Sequence, residues 1–237
     1  MKLITWNCQG AFRTKAKHIF KYEPDILVIQ ECEHPSRLKL DNDFKKPKNI
    51  YWIGDNHHKG LAVISYCEYD FKIHKNYNPN IKFVLPINIK GSNNSFNLLA
   101  IWANNKNDPE GQYVEQVWKA IQHYKNAIKN NPVILTGDFN SNTIWDRPKR
   151  IGNHSHVVEK LASYNIHSVY HTLLNQQQGK EIHPTFYLYR NLEKPYHLDY
   201  CFATDHLQDK ITHIEFGEYS EWINHSDHMP IILEFDL

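Results

Sequence analysis

The sequence predicts an α/β fold in which two β-sheets pack face to face and helices cover their outer faces. Apolar runs of strand length, rich in β-branched and aromatic residues, recur along all 237 residues. Several of these runs are continuous and do not alternate with polar residues, as strands buried on both sides require. Only a few intervening segments repeat apolar residues at helical spacing, so helices are inserted between strands.

The elements follow in order. LITWN (3–7) opens the series, and a weaker helix spans about Thr14 to Tyr22, ending before Pro24. ILVIQE (26–31), LAVIS (61–65), IKFVLPINI (81–89) and FNLLAIWA (96–103) are the next strands. Asp108–Pro109 then supplies an N-cap and a proline at the first helical position. The apolar stripe of that helix is Val114, Val117, Trp118 and Ile121, continued by Ile128, and Glu115 with Lys119 makes a supporting pair one turn apart. PVILTGDFN (132–140) is a strand, and Val157, Val158, Leu161 and Ala162 mark another helix. TFYLY (185–189), HLDYCFAT (197–204), ITHIEF (211–216) and PIILEF (230–235) complete the strands. Gly and Pro punctuate evenly, with no linker, repeat or low-complexity tract, so residues 1–237 read as a single domain.

Composition narrows the function. At 41% hydrophobic residues the chain can bury a full core, yet no apolar stretch is long enough to cross a bilayer. MKLITWNCQG reads as an immediate strand and not as an export leader, which places the protein in the cytoplasm. Cys8, Cys32, Cys67 and Cys201 are scattered beside apolar segments, as small buried hydrophobes of a reducing compartment are. A net charge of +1 gives no overall basic field; local clusters at Lys45–Lys48 and Asp146–Arg150 read as solvated loops or as phosphate contacts. The 16 histidines share no HExxH or short Cys/His spacing, which argues against a zinc hydrolase.

Polar groups interrupt the strand ends in a way that core packing does not explain. Asn7 follows LITW, Glu31 closes PDILVIQE, and Asp227–His228 precedes the last strand. Asp138 and Asn140 in GDFN are two apart, so both side chains share a face if the strand persists; Asp199 sits inside the otherwise apolar HLDYCF. Taken singly, each can be a turn cap. Together, several buried carboxylates are costly unless cations or hydrogen bonds compensate. If these strand ends converge, a metal site is the simplest explanation, and oxygen and amide ligands favour magnesium or manganese over zinc.

The ordered motifs ITWNCQG, PDILVIQE, LTGDFN, HLDYCF and SDHMPI resemble those of the endonuclease/exonuclease/phosphatase superfamily. That group includes exonuclease III-type abasic endonucleases, DNase I, inositol polyphosphate phosphatases and neutral sphingomyelinases. The resemblance implies a four-layered α/β sandwich with two mainly antiparallel sheets. It also implies roles at matching positions. Glu31 would be the principal metal carboxylate, with Asn7 arranging that corner and Asp227 near a second metal position. Asp138 would orient and deprotonate water, and Asn140 would donate to a phosphate oxygen. His228 would contact the scissile phosphate, with Asp199 fixing its ring. The position after NLLAI that often carries a phosphate-contacting Tyr or His is here Trp102, as readily a packing aromatic; Asn104 and Asn105 follow on the same loop.

Phe186, Tyr196 and Leu198, with Arg190 between them, match positions that line an extrahelical sugar pocket in abasic endonucleases, and serve equally as core residues of a strand pair. The resemblance thus points first to a Mg²⁺- or Mn²⁺-dependent nuclease, monomeric, acting on DNA. A phosphatase or phosphodiesterase of the same fold acting on RNA, a lipid headgroup or a small phosphoester stands second, and a catalytically idle binding module third.

Overall fold

The computed structural model describes residues 1–38, 46–104 and 112–237. The first half runs β1 (Lys2–Asn7), α1 (Phe12–Phe20), β2 (Ile26–Cys32), β3 (Asn49–Asn56), β4 (Lys59–Ser65), β5 (Asp70–Ile73), β6 (Val84–Lys90) and β7 (Ser95–Trp102). After these come α2 (Val114–His123), α3 (Lys125–Ile128), β8 (Val133–Asp138), α4 (His154–Ala162), β9 (Ile166–Ser168) and α5 (Val169–Leu174). The last part holds β10 (Phe186–Tyr187), β11 (Pro195–Tyr196), β12 (Asp199–Thr204), α6 (Asp205–Gln208), β13 (Ile211–Phe216), α7 (Tyr219–Trp222) and β14 (Ile231–Phe235).

Two six-stranded sheets form, in the orders β13-β14-β1-β2-β4-β3 and β5-β6-β7-β8-β12-β9. Each is antiparallel except for one parallel pair, β1 with β2 and β7 with β8. The continuous apolar runs now have a cause. Along β2, Ile26 and Val28 face the core between the sheets, whereas Leu27 and Ile29 face an outer core shared with Phe12, Ala16 and Ile19 of α1. Along β7, Leu98 and Ala100 join the central core, and Leu99 and Ile101 meet Val117 and Ile121 of α2 and Val157 of α4. With period-two alternation between two apolar environments, no position in the middle of these strands can be polar. The result is the helix–sheet–sheet–helix stack predicted from the sequence.

Several local expectations are corrected. TFYLY forms only the two-residue strand β10, paired with β11 in a separate ribbon, because the chain turns at Tyr189 and Arg190, both at positive φ. The Asp108–Pro109 cap lies outside the described residues. α2 breaks at Tyr124, so Ile128 belongs to α3. The helix near Thr14 starts earlier, at Phe12, whose N–H donates to the buried Glu33 carboxylate at 2.6 Å. Separately, Glu115 also holds Arg150 as an ion partner, at 2.8 Å. β3 and β5 are strands that the sequence patterns did not reveal.

Candidate active site

β8 ends in Asp138, and Gly137 before it sits at φ 142°. A Cβ on Gly137 would collide with the Ile101 carbonyl of β7, so glycine is what lets the parallel pair close up beside the carboxylate. Asp138 is fully buried. Its Oδ2 accepts a hydrogen bond from Asn7 Nδ2 at 3.0 Å, and its Oδ1 accepts the Asn140 backbone N–H at 2.8 Å. The strand does not persist to Asn140, as the period-two argument supposed; Asn140 has φ 49° and closes a turn over the aspartate side chain.

β12 pairs antiparallel with β8, with Asp199 directly opposite Asp138. The segment entering β14 brings His228 to the same place, its Nδ1 2.8 Å from Asp199 Oδ2. One side-chain donor or acceptor atom from each of Asp138, Asp199 and His228 lies within 4.8 Å of the others. Two carboxylates and an imidazole, all buried, therefore share one small volume. Burial drives the Asp138 carboxyl up to about 7, although the His228 charge opposes the rise and Asp199 adds to it. Burial alone would depress His228, but the Asp199 and Asp138 carboxylates raise it to about 10. At neutral pH the imidazole is thus a cation held by Asp199, and Asp138 is poised near the pH at which it takes up or releases a proton.

Three hydroxyls and amides that the motif reading missed hold this arrangement. Thr185 Oγ1 accepts the backbone N–H groups of Leu198 and Asp199, at 2.9 and 3.0 Å. Ser226 Oγ accepts the His228 N–H at 3.0 Å and donates to the Asn7 carbonyl at 2.7 Å, tying β1 to the last loop. Gln9 Nε2 donates to Asp227 Oδ2 at 2.8 Å, and its Oε1 receives Arg190. The signals were the threonine of PTF, just upstream of HLDYCF, and two residues inside the quoted motifs, the serine of SDHMPI and the glutamine of ITWNCQG.

Glu31 stands at a bulge where β2 shifts register against β4, at φ 58°, and its carboxylate pairs with Lys59. Burial raises the Asp227 carboxyl; His228 opposes this, and the nearby Glu31 charge raises it further. Two carboxylates that repel one another suit a hard dication with oxygen ligands. By the chemistry of the donors, a hard divalent cation fits the Glu31 and Asp227 carboxylates. The Asp138–Asp199–His228 group is also compact enough for an ion, but protonated His228 already supplies positive charge there. Glu31, Asn140 and Arg190 all have left-handed backbones, as does Gln9. Such conformations cost on the order of 1 kcal/mol or more each and gather at functional sites.

The remaining sequence candidates divide. The Phe186 ring lies 4.7 Å from the His228 ring, and Tyr196 pairs with Phe186 across the ribbon. Trp102 is buried in the core between the sheets, its ring 4.7 Å from Phe83; it packs and offers substrate almost no surface. Leu198 is 3% exposed and is likewise a packing residue, which leaves the three-sided sugar pocket without one wall. Asn104 is half-buried and its N–H bonds back to the Trp102 carbonyl at 2.9 Å, whereas Asn105 lies outside the described residues. Lys45 lies outside them too, while Asp146 of the second basic cluster caps α4 by accepting the N–H groups of His154 and Ser155.

The sequence matches the profile of the Endonuclease/Exonuclease/phosphatase family over residues 4–228. No curated protein matches it. Among solved structures, the 3′ phosphatase NExo from Neisseria bound to a product DNA hairpin superposes with a TM-score of 0.70 at 17% identity, covering 100% of both chains. An AP endonuclease from Archaeoglobus fulgidus gives 0.68 at 16% identity, again over 100% of each chain. The endonuclease domain of TRAS1, a telomere-specific non-LTR retrotransposon, gives 0.67 at 17% identity, covering 100% of this chain and 98% of its own. At these identities the likeness bears on fold.

Proposed function

The chain belongs to the endonuclease/exonuclease/phosphatase family, and we propose that it is a divalent-metal-dependent nuclease hydrolysing phosphodiester bonds in DNA. The observation that supports this most is the buried convergence of Asp138, Asp199 and His228 beside Asn7, with Glu31 and Asp227 at the adjoining corner.

A phosphodiester resists attack because its own negative charge repels nucleophiles. The His228 imidazolium, its Nδ1 held by Asp199, presents Nε2 to a phosphate oxygen and offsets that charge. Asp138, fixed by Asn7 and the Asn140 N–H, accepts the proton of the attacking water and aligns it with the leaving oxygen. The Asn140 amide donates to the phosphate as charge builds there. Glu31, with Asp227 and Asn7, would hold Mg²⁺ or Mn²⁺, which neutralises phosphate charge and stabilises the departing alkoxide. Lys59 and Arg190 bracket this corner and add positive charge at its rim.

The near-neutral charge of +1 favours a second reading, the same chemistry on RNA, a lipid headgroup or a small phosphoester. One panel separates the two. Purified protein with magnesium or manganese is offered duplex, abasic-site and single-stranded DNA, RNA and small phosphoesters, with Glu31→Ala as contaminant control. Metal-dependent DNA cleavage lost in the variant supports the first reading; turnover of small phosphoesters alone supports the second.

A further inference from the structure

Beyond the catalytic cluster, the structure displays apolar side chains where its local architecture could have hidden them. The short turn Thr143–Trp145 is pinned at both ends. Asn142, 3% exposed, accepts the Ile144 N–H at 3.1 Å and donates to Glu181 Oε2, the His197 carbonyl and the Tyr200 hydroxyl. On the other side Asp146 accepts the first N–H groups of α4 at 2.9 and 3.0 Å. Glu181 itself is clamped by His171 Nε2 and the Gly179 N–H, both at 3.0 Å. From this anchored turn Ile144 and Trp145 project into solvent, 54% and 43% exposed.

What the indole faces identifies its use. Its ring is 4.9 Å from the Tyr196 ring. Tyr196 lies directly opposite Phe186 in the antiparallel ribbon, so their side chains share a face. Phe186 in turn touches the His228 ring. Phe186, against the His228 ring, and Tyr196, against the Trp145 ring, thus stand as partners on one face of the ribbon. Just past Trp145, Arg147 and Lys149 are exposed and form no ion pair among the described residues. Flat rings on the ribbon that reaches the candidate phosphate-binding centre, with exposed cations two and four residues further along the chain, suit single-stranded nucleic acid, whose bases stack and whose phosphates need positive charge.

We propose that the Trp145–Tyr196 ring pair is a stacking platform for a nucleobase next to the scissile phosphate, and that the buried Asn142–Glu181 network exists to hold it in place. The proposal rests on the phosphodiesterase reading for the phosphate and adds the class of group recognised beside it, an unpaired base.

The test compares two oligodeoxynucleotides of one length, one with bases throughout and one with tetrahydrofuran abasic units flanking the scissile bond. Parent, Trp145→Ala and Trp145→Phe proteins are assayed for kcat and KM in magnesium, and for equilibrium binding of both oligonucleotides in EDTA. Trp145→Ala should raise KM and the dissociation constant about 10- to 100-fold for the base-bearing strand. It should leave the abasic strand within about 2-fold, and Trp145→Phe should restore most of the loss. Equal effects on both strands, unchanged affinity in Trp145→Ala, or no binding by the parent protein would overturn the platform. If no oligonucleotide is cleaved yet base-dependent affinity still depends on Trp145, the hydrolase reading fails and the platform stands.

Discussion

Acidification should destabilise the protein with a slope set by three buried groups. Burial drives His154 and His197 from the ordinary 6.5 down to about 4, with weaker opposing contributions from neighbouring carboxylates and, for His197, the His183 carbonyl. Both are therefore neutral in the folded chain between pH 4 and 6.5, whereas the unfolded chain protonates them over that range. Their stability is complete above pH 6.5 and is lost as the pH falls toward 4, by about 1.4 kcal/mol per pH unit for each. Asp138 acts in the opposite sense. Raised from 3.8 to about 7, it keeps a proton in the folded state that the unfolded chain has released, so acidification over the same window stabilises the fold by a similar slope. His228, raised to about 10, is protonated in both states below 6.5 and adds no slope there. Glu181, which burial would raise but hydrogen bonds from His171, Gly179 and Asn142 lower to about 2, matters only below pH 4.5. Smaller shifts, downward at His18, His74 and His225 and upward at Asp227, oppose one another.

Two losses against one gain leave a net decline of about 1.4 kcal/mol per unit, roughly 3 kcal/mol from pH 6.5 to 4.5. That is a sizeable part of an ordinary stability of about 5–15 kcal/mol. Urea unfolding followed by tryptophan fluorescence at half-unit pH steps reads the slope directly. His154→Gln removes one loss and should flatten the decline to near zero. Asp138→Asn removes the gain and should roughly double the slope. Identical slopes in all three proteins would refute the assigned ionisation states.

Other outcomes follow from single contacts. Thr185→Val leaves the Leu198 and Asp199 N–H groups without their acceptor and should cost about 2–4 kcal/mol in chemical denaturation and lower kcat; Thr185→Ser should recover both. Gly137→Ala forces a Cβ against the Ile101 carbonyl at φ 142°, so a loss of about 3 kcal/mol or more is expected, measured as a fall of roughly 5 °C or more in melting temperature. EDTA should abolish turnover, and either magnesium or manganese should restore it in the parent but not in Glu31→Ala.

The layers were legible because physics imposed them on short windows. In ILVI (26–29) every second residue serves one core and the others a second, so the run is apolar throughout and visibly a strand. NIYWIGDN escaped notice because β3 is an edge strand, half-buried, with polar residues at both ends. TFYLY misled because its aromatics look like strand residues, while the positive φ at Tyr189 and Arg190 is imposed by the loop and not by either residue type. The candidate site residues Asp138, Asp199 and His228 stood out as polar interruptions, and the family resemblance supplied the roles proposed for them. Their supports did not stand out. Thr185 acts through the backbone N–H groups of Leu198 and Asp199, and Ser226 through the Asn7 carbonyl, all brought to them only by tertiary contacts. Asn142, His154, His171 and Glu181 meet only when α4, α5 and the loop before β10 pack on β12. The Asp138–Asn140 spacing was read through a strand that in fact ends, so its geometric reason was replaced by a turn closing on the aspartate.

The most direct test of the hydrolytic centre is the rate of metal-dependent DNA cleavage by Asp138→Asn, set beside its melting temperature. The expected result is a fall of about 10²–10⁴-fold in kcat with cooperative unfolding retained. Cleavage at near the parental rate by a folded variant would contradict the assignment of Asp138 as the group that activates water.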